Sequence, residues 1–159
     1  MTAILGIDPG LSGAAALLAG GSVLDLIDLP TVERTVNSKT KRQLDLHQLS
    51  AWVELHRGRI DFAVVEMVAA MPGQGVTSSF NFGFTTGAIH GILAACGIQI
   101  RTVSPQVWKR HFRLLGQPKD ASRAEASRRL PKEAHRWPLK KHDGRAEAVL
   151  LALYGGLDK

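Results

Sequence analysis

Short hydrophobic runs separated by turn residues characterise the first part of the chain. Three such runs cover residues 4–7, 14–18 and 23–29. Asp8-Pro9-Gly10 ends the first run, and Gly20-Gly21 separates the other two. Runs of this length between turn signals predict a meander of three β-strands. Residues 31–42, in contrast, are polar and basic without a period, which predicts an exposed loop.

The rest of the chain alternates helical and strand-like segments. The pattern predicts helices over residues 46–55, 80–95, 120–130 and 146–153, and strands over 62–65 and 98–103. Asp45 is a suitable N-cap for the first helix, Ser104-Pro105 starts an additional helix, and Pro131 stops the basic helix. The sequence contains no internal repeat. This order predicts one mixed α/β domain over residues 1–159, with a central sheet and helices on both faces.

The composition is that of an ordinary globular chain. Of the 159 residues 45% are hydrophobic, and no apolar run is long enough to span a bilayer. Cys96 is the single cysteine, which excludes an internal disulfide framework and a multi-cysteine zinc site. Residues 1–7 lack the basic leader of a secretion signal. We therefore expect a cytoplasmic protein that meets no membrane.

The positive charge is large and unevenly placed. The formal net charge is +6 and the sequence pI is about 9.9. Between Arg101 and Arg145 stand 13 of the 20 basic residues, against four acids. Many Lys and Arg side chains on one region favour a polyanionic partner, because phosphate contacts release counterions. A solvated surface on a merely basic protein is the alternative, and we weigh nucleic acid above it.

Two predicted strands end in an acidic residue. Asp8 follows the strand 4–7, and Glu66 follows the strand 62–65. Open α/β sheets bind their ligands at the edge where parallel strands end, so the two carboxylates converge there if the strands are neighbours. The alternative for each acid is a helix cap or a side chain that simply faces water.

A second pair of acids lies near the end of the chain. Asp143 and Glu147 are four residues apart, so they lie on one face of a helix. Glu147 is surrounded by apolar neighbours, and an acid there is costly unless a cation compensates it. Asp143 has a second interpretation as the N-cap of the helix.

Four acids beside a basic surface favour one type of chemistry. Hard oxygen ligands in an open site suit Mg²⁺, which keeps waters and accepts a substrate phosphate as a ligand. Two such ions about 4 Å apart stabilise the attacking and the leaving oxygen of an in-line displacement. The carboxylate cluster therefore predicts a two-metal phosphodiester hydrolase that cuts DNA.

Several motifs together resemble the RuvC family of Holliday-junction resolvases. They are Ile4-Leu5-Gly6-Ile7-Asp8-Pro9-Gly10-Leu11-Ser12-Gly13, Val64-Val65-Glu66, and Lys141-His142-Asp143-Gly144-Arg145-Ala146-Glu147-Ala148. Two further segments look most like the RuvC-like proteins of bacteriophages and prophages, namely Met71-Pro72-Gly73-Gln74-Gly75 and Phe80-Asn81-Phe82-Gly83. The similarity covers nearly the whole chain in order.

The resemblance implies an RNase H-like fold with a five-stranded mixed sheet whose first three strands are antiparallel. It implies a homodimer that nicks two opposed strands of a four-way DNA junction, leaving 5′-phosphate and 3′-hydroxyl ends. Asp8, Glu66, Asp143 and Glu147 would hold two Mg²⁺ ions, which Mn²⁺ can replace. Branched DNA is the expected partner, with no small-molecule substrate, in a bacterial or phage-infected cell. We take the glycine- and alanine-rich helix 80–95 as the candidate dimer interface.

Two positions depart from the family pattern. The best-known RuvC members carry two acids, or a His and an acid, three residues apart at this position. Here Asp143 and Glu147 are four apart and His142 lies five before Glu147, so either Asp143 or His142 takes the other role. Many members carry an aromatic wedge three residues after the strand Glu, where this chain has Ala69. Met71, Phe80 and Phe82 are the candidate replacements.

Some polar residues outside the acid cluster are candidates for DNA contact. They are Gln74, Lys109, Lys119, Lys140, Lys141 and Arg145. Lys109 also has a possible role in neutralising the scissile phosphate, and a phosphate-positioning role away from the chemistry is equally compatible with the sequence. For Gln74 the alternative is an ordinary turn.

Three other functions are compatible with parts of the sequence. Proteins of the actin and sugar-kinase type share the RNase H-like core and an Asp-x-Gly after the first strand, but they close two lobes around ATP, and 159 residues make one lobe. A YqgF-like RNA-processing nuclease is a second alternative. A catalytically inactive junction-binding protein is a third, which the intact acids disfavour.

Overall fold

A computed structural model describes residues 1–67, 69, 73 and 75–157 of the chain. Its strands are β1 (Ala3–Ile7), β2 (Ala14–Ala19), β3 (Ser22–Asp28), β4 (Thr31–Val36), β5 (Lys39–Leu44), β6 (Phe62–Glu66) and β7 (Gln99–Val103). Its α-helices are α1 (Leu46–His56), α2 (Val76–Ala95), α3 (Pro105–His111), α4 (Ala121–Arg129) and α5 (Asp143–Gly155). Short 3₁₀ helices cover Arg57–Arg59, Pro131–Arg136 and Lys140–His142. None of the helices described is long and apolar enough to cross a membrane.

Five strands form a mixed sheet in the order β3-β2-β1-β6-β7. The first three strands pair antiparallel, whereas β1 pairs parallel with β6 and β6 pairs parallel with β7. The predicted meander and the five-stranded mixed sheet are therefore confirmed. β1 and β6 are short uninterrupted apolar runs because both faces of the sheet centre are covered.

Alternate residues of the central strands enter two separate cores. Ile4 and Val64 pack under α5, while Leu5 and Val65 pack under α1 and α2 on the opposite face. This period of two is the direct result of strand geometry. Helices on both faces of the sheet were predicted, and the two cores confirm this arrangement.

The helix predictions are confirmed with shifted boundaries. Asp45 caps α1 as expected, since its carboxylate accepts a hydrogen bond from the Gln48 backbone amide at 3.1 Å. α2 begins four residues before the predicted start, at Val76. α5 begins at Asp143, three residues early, so His142 and not Asp143 occupies the N-cap position. The N-cap interpretation of Asp143 is therefore wrong.

The prediction of a loop over residues 31–42 is also wrong. β4 and β5 form an antiparallel two-stranded hairpin joined by Asn37 and Ser38, whose φ angles are 51° and 60°. Two consecutive residues with positive φ make the tight turn whose twist matches a hairpin. Nearly every residue of the hairpin is exposed, so the sequence shows no apolar alternation there.

Two glycines allow α5 to lie directly on the first strand and the loop that follows it. A Cβ atom on Gly6 would collide with backbone atoms of Ala148 and Ala152 in α5. A Cβ atom on Gly144 would lie 2.5 Å from the Ser12 carbonyl oxygen. These contacts are backbone against backbone, so no rotamer change relieves a larger residue. They fix the position of the first two turns of α5.

We expect Gly6→Ala to lower the free energy of unfolding by about 3 kcal/mol or to prevent folding, because overpacking at a backbone contact is poorly accommodated. Urea denaturation of the purified variant measures this. Gly58→Ala is the matched control, since a Cβ atom there meets nothing within 4 Å. Equal stability of the two variants would contradict the close packing of α5 on β1.

Candidate active site

The site is built first on the ends of two neighbouring parallel strands. Asp8 directly follows β1, and Glu66 is the last residue of β6. Because Ile7 is paired with Val65, the two acids stand side by side at one edge of the sheet. The Asp8 backbone amide donates to the Ala14 carbonyl at 3.0 Å, which fixes the start of the following loop. The convergence predicted for Asp8 and Glu66 is what the strand order produces.

The first turns of α5 bring the other two acids to this edge. Asp143 and Glu147 line one open cavity together with Asp8, with a volume of about 360 Å³. The tight contact between Gly144 and the loop at Ser12 places the helix start there. The structure therefore brings Asp8, Asp143 and Glu147 to one cavity, whereas Glu66, whose charge acts on Asp8, does not line it.

A pair of adjacent residues on α3 holds the strand and helix acids in place. The indole Nε1 of Trp108 donates to Glu66 Oε1 at 2.8 Å, and this ring is completely buried. The ammonium group of Lys109 lies 3.2 Å from Glu147 Oε1. α3 thus fixes the orientation of one carboxylate by a hydrogen bond and of another by an ion pair.

A second adjacent pair, on α4, contacts the acids of α5. The hydroxyl of Ser122 donates to Glu147 Oε1 at 3.1 Å. Arg123 Nε donates to Asp143 Oδ1 at 2.6 Å. Neither residue, nor the contact of Trp108 with Glu66, was predicted, because each depends on how α3 and α4 dock. The structure shows that Ser122 is buried, which the sequence of this basic helix does not indicate.

Burial, and after it the closeness of the acids to one another, determines the electrostatics of the site. Burial, followed by the nearby charges of Glu147 and Glu66, raises the pKa of Asp8 to about 7. Burial and the charge of Glu147 likewise raise the pKa of Glu66, although the Trp108 hydrogen bond and Lys109 act in the opposite direction. Three carboxylates held this close in a partly dehydrated site favour proton or cation binding.

The donor set fits a divalent cation. Asp8, Glu66 and Glu147 offer only carboxylate oxygens, the ligands that Mg²⁺ takes, and burial with the charges of Glu147 and Glu66 raises the pKa of Asp8. Within the described ranges, no three potential ligands are grouped closely enough to enclose an ion in the present arrangement. The partners Lys109 and Arg123 supply positive charge there instead. A bound cation would compete with these two side chains for the same oxygens.

The predicted DNA-contacting lysines lie around this cavity, whereas Arg145 does not line it. Lys109, Lys119, Lys140 and Lys141 all line it. The guanidinium group of Arg145 instead binds both carboxylate oxygens of Asp28, at 2.7 and 2.6 Å, and the Arg136 carbonyl. Its donors are thus engaged within the chain. Gln74 lies outside the described residues.

His142, the alternative to Asp143, is placed differently. It is buried, does not line the cavity, and its Nδ1 accepts a hydrogen bond from the Leu139 backbone amide at 3.3 Å. Burial and the charge of Arg145 lower the pKa of its ring. Asp143 therefore has the better position for a ligand.

The structure describes two of the three candidate wedge residues. Ala69 is exposed, and Phe80, in the first turns of α2, has 72% of its surface exposed. Phe82 is half-buried. Met71 lies outside the described residues.

Comparison with known proteins gives a consistent result. No protein-family model matches the chain. It is 31% identical over 94 residues to the chloroplastic Holliday junction resolvase MOC1 of Chlamydomonas reinhardtii, a match that spans 58% of this chain but only 11% of that protein. Its structure is similar to RuvC of Thermus thermophilus, with a TM-score of 0.58, 20% identity, and coverage of 98% and 96% of the two chains. T. thermophilus RuvC in complex with a Holliday junction substrate gives a TM-score of 0.60, 19% identity, and coverage of 99% and 96%.

These structural matches extend over nearly the whole of both chains. The fold is therefore that of RuvC, and the predicted RNase H-like fold is confirmed. The expected resemblance to RuvC resolvases holds at the level of structure, and the shorter sequence match is also to a Holliday junction resolvase.

Proposed function

We propose that the chain is a metal-dependent endonuclease that resolves four-way DNA junctions by paired nicks. The observation that carries this proposal is the meeting of Asp8, Glu66 and Glu147 at one sheet edge, beside a cavity lined by four lysines. Acidic ligands surrounded by cations suit a phosphodiester substrate, which needs both a metal site and phosphate contacts. The RuvC fold and the sequence match to a junction resolvase support branched DNA over other nucleic acids.

The four acids are the proposed metal ligands, with Asp8 at the centre because both Glu66 and Glu147 act on its charge. When bound, two Mg²⁺ ions supply the charge that stabilises the attacking and leaving oxygens, and Mn²⁺ can serve in their place. Cleavage of the bond to the 3′ oxygen would leave a 3′-hydroxyl and a 5′-phosphate. The contribution of the protein is to hold the carboxylates in fixed positions before substrate arrives.

Buried side chains that hydrogen-bond to these carboxylates hold them in position. Trp108 is completely buried and donates to Glu66, so its indole restricts the rotamers of that carboxylate. Ser122, also buried, does the same for Glu147. Partners of this kind orient metal ligands and raise metal affinity.

The lysines have a separate role in substrate binding. Lys119, Lys140 and Lys141 line the cavity without ion pairs to other described residues, so their charges are available to phosphate groups. Lys109 differs because it already contacts Glu147. Its ammonium group would turn to the scissile phosphate once cations compensate that carboxylate.

Paired nicking needs two active sites, and we propose a second copy of this chain as the partner. Val76, Phe80 and Phe84 recur every four residues along α2 and are 87%, 72% and 54% exposed. Gly83 and Gly87 share this face of the helix, and a Cβ atom on either meets nothing within 4 Å. An exposed apolar stripe beside glycines allows close helix packing and is typical of an interaction surface.

We expect Asp8→Asn and Glu66→Gln each to reduce junction cleavage by roughly a thousandfold or more, because each removes a ligand whose role is in the chemical step. Binding of the same junction should be unchanged, since neither variant loses a positive charge. A labelled four-way junction with Mg²⁺, beside linear duplex and RNA hairpin substrates, measures both quantities.

Asp120→Asn is the matched control for these variants, because Asp120 is an exposed acid without a side-chain capping bond. It should cut as the unmodified protein does. Equal cutting of linear duplex and junction would overturn the resolvase assignment, and cutting of the RNA hairpin alone would favour an RNA-processing nuclease.

Thermal denaturation tests the metal site without reference to activity. Saturating Mg²⁺ should stabilise the unmodified protein by about 1–3 kcal/mol, since a ligand that binds only the folded state raises its stability. Asp8→Asn should lose this response and should be at least as stable as the unmodified protein in EDTA, because it removes one of three repelling acids. A response to Mg²⁺ that survives in Asp8→Asn would place the cation elsewhere.

Sedimentation velocity tests the proposed dimer. Phe80→Asp combined with Phe84→Asp places two charges on the α2 stripe and should convert a dimer to a monomer. Leu55→Asp is the control, since Leu55 is 75% exposed on α1 and lies outside the stripe. An unmodified protein that sediments as a monomer on junction DNA would contradict the proposal.

A further inference from the structure

The β4–β5 hairpin stands apart from the five-stranded sheet and forms a two-stranded sheet of its own. Its residues from Val32 to Thr35 and from 37 to 42 are exposed. Leu44, at its base, is buried in the core beneath α1 and α2. The base is therefore anchored. Lys41 and Arg42 line a cavity with Phe84 of α2, and the residues nearer the turn are exposed.

The register of the hairpin sorts its charges onto two faces. Arg34 is paired with Lys41, and Lys39 lies two residues before Lys41 on the same strand, so the three cations share one face. Glu33 is paired with Arg42 on the opposite face. The acid that could balance the cations is thus turned away from them.

Like charges directly opposite each other in a strand pair are destabilising. Arg34 and Lys41 form such a pair, and the described residues provide no ion pair to Arg34, Lys39 or Lys41. Neutral or β-branched residues would suit these exposed strand positions better. An anionic partner on this face would convert the repulsion into binding energy.

Arg42 connects the hairpin to the active-site loop. Its Nη2 donates to the Leu11 carbonyl at 3.2 Å and to the Ser12 hydroxyl at 3.1 Å. Ser12 lines the same cavity as Asp8. The base of the hairpin therefore adjoins the cavity that Asp8 and the four lysines line.

We propose that Arg34, Lys39 and Lys41 form a second phosphate-binding surface that holds the backbone of one arm of the branched DNA. This inference rests on the proposed function, because it places the hairpin on the substrate of the active site. The lysines of the cavity contact the strand that is cut, whereas the hairpin contacts DNA beyond it. The strand pairing fixes the spacing of the three cations. The contacts of Arg42 with Leu11 and Ser12 tie the hairpin to the loop after Asp8 from the face opposite to these cations.

The test removes the three charges together as Arg34→Gln, Lys39→Gln and Lys41→Gln. Fluorescence anisotropy with a labelled four-way junction in EDTA measures affinity without cleavage, over a series of salt concentrations. We expect Kd to rise by about tenfold or more, and the slope of log K against log salt to fall by about three, roughly one for each phosphate that the variant no longer binds.

The matched control removes three exposed cations elsewhere, as Arg57→Gln, Arg59→Gln and Lys132→Gln. Arg57 and Arg59 precede β6, at the end of that strand opposite to Glu66. This variant has the same net charge as the hairpin variant, so it measures the effect of charge alone. Equal affinities and equal salt slopes of the two triple variants would overturn the proposal.

Lys41→Glu keeps the inference testable if the triple variant folds poorly. It places an acid opposite Arg34, so the melting temperature should stay the same or rise while junction affinity falls. Junction affinity that stays unchanged in this folded variant would also overturn the proposal.

The possible outcomes distinguish a failure of the hairpin proposal from a failure of the proposed function. If the unmodified protein prefers linear duplex or RNA to the junction, the resolvase assignment fails, and the same pair of triple variants decides the role of the hairpin on that nucleic acid. If the unmodified protein binds no nucleic acid, both proposals fail.

Discussion

The packing of α5 against β1 is the constraint on which the rest of the structure depends. Side chains usually separate a helix from the sheet on which it packs, but at Gly6 and Gly144 no side chain stands between α5 and the backbone that it contacts. Backbone atoms of α5 therefore meet backbone atoms of β1 and of the loop after Asp8. Only in this arrangement do acids from the end of the chain reach an acid near its beginning. The order of the strands places Asp8 and Glu66 next to each other. The contact of α5 with β1 and with the loop after it brings Asp143 and Glu147 to the same edge of the sheet.

Gathering these acids has an electrostatic cost. Burial and the neighbouring charges of Glu147 and Glu66 disfavour the ionised form of Asp8 and raise its pKa. The fold compensates through single contacts from α3 and α4, each of which fixes one carboxylate without fully neutralising the group. This cost is what the proposed role in binding cations would explain, since groups placed for ligand binding often lower the stability of the empty protein.

The sequence patterns predicted the features that depend on the local succession of apolar and turn residues. β1, β2, β3, β6 and β7 follow from apolar runs and turn residues, and the closeness of Asp8 to Glu66 follows once their strands are neighbours. The features that were missed depend on tertiary contact or on exposure. Trp108, Ser122 and Arg123 reach the acids only through the docking of α3 and α4, for which no spacing in the chain gives a signal. The hairpin was taken for a loop because exposed strands lack the buried alternation that marks strands elsewhere.

The two-stranded hairpin also has a consequence for self-association. Among the residues that the structure describes it has no third strand, so the outer edge of each strand offers unpaired amide and carbonyl groups to a neighbouring molecule. Such edges invite pairing between copies and, at high concentration, fibrous aggregation. The positively charged side chains of Arg34, Lys39 and Lys41 oppose such pairing, since two copies would bring like charges together. These three cations would then oppose self-association of the protein. A polyanion that neutralised them without covering the strand edges would promote self-association.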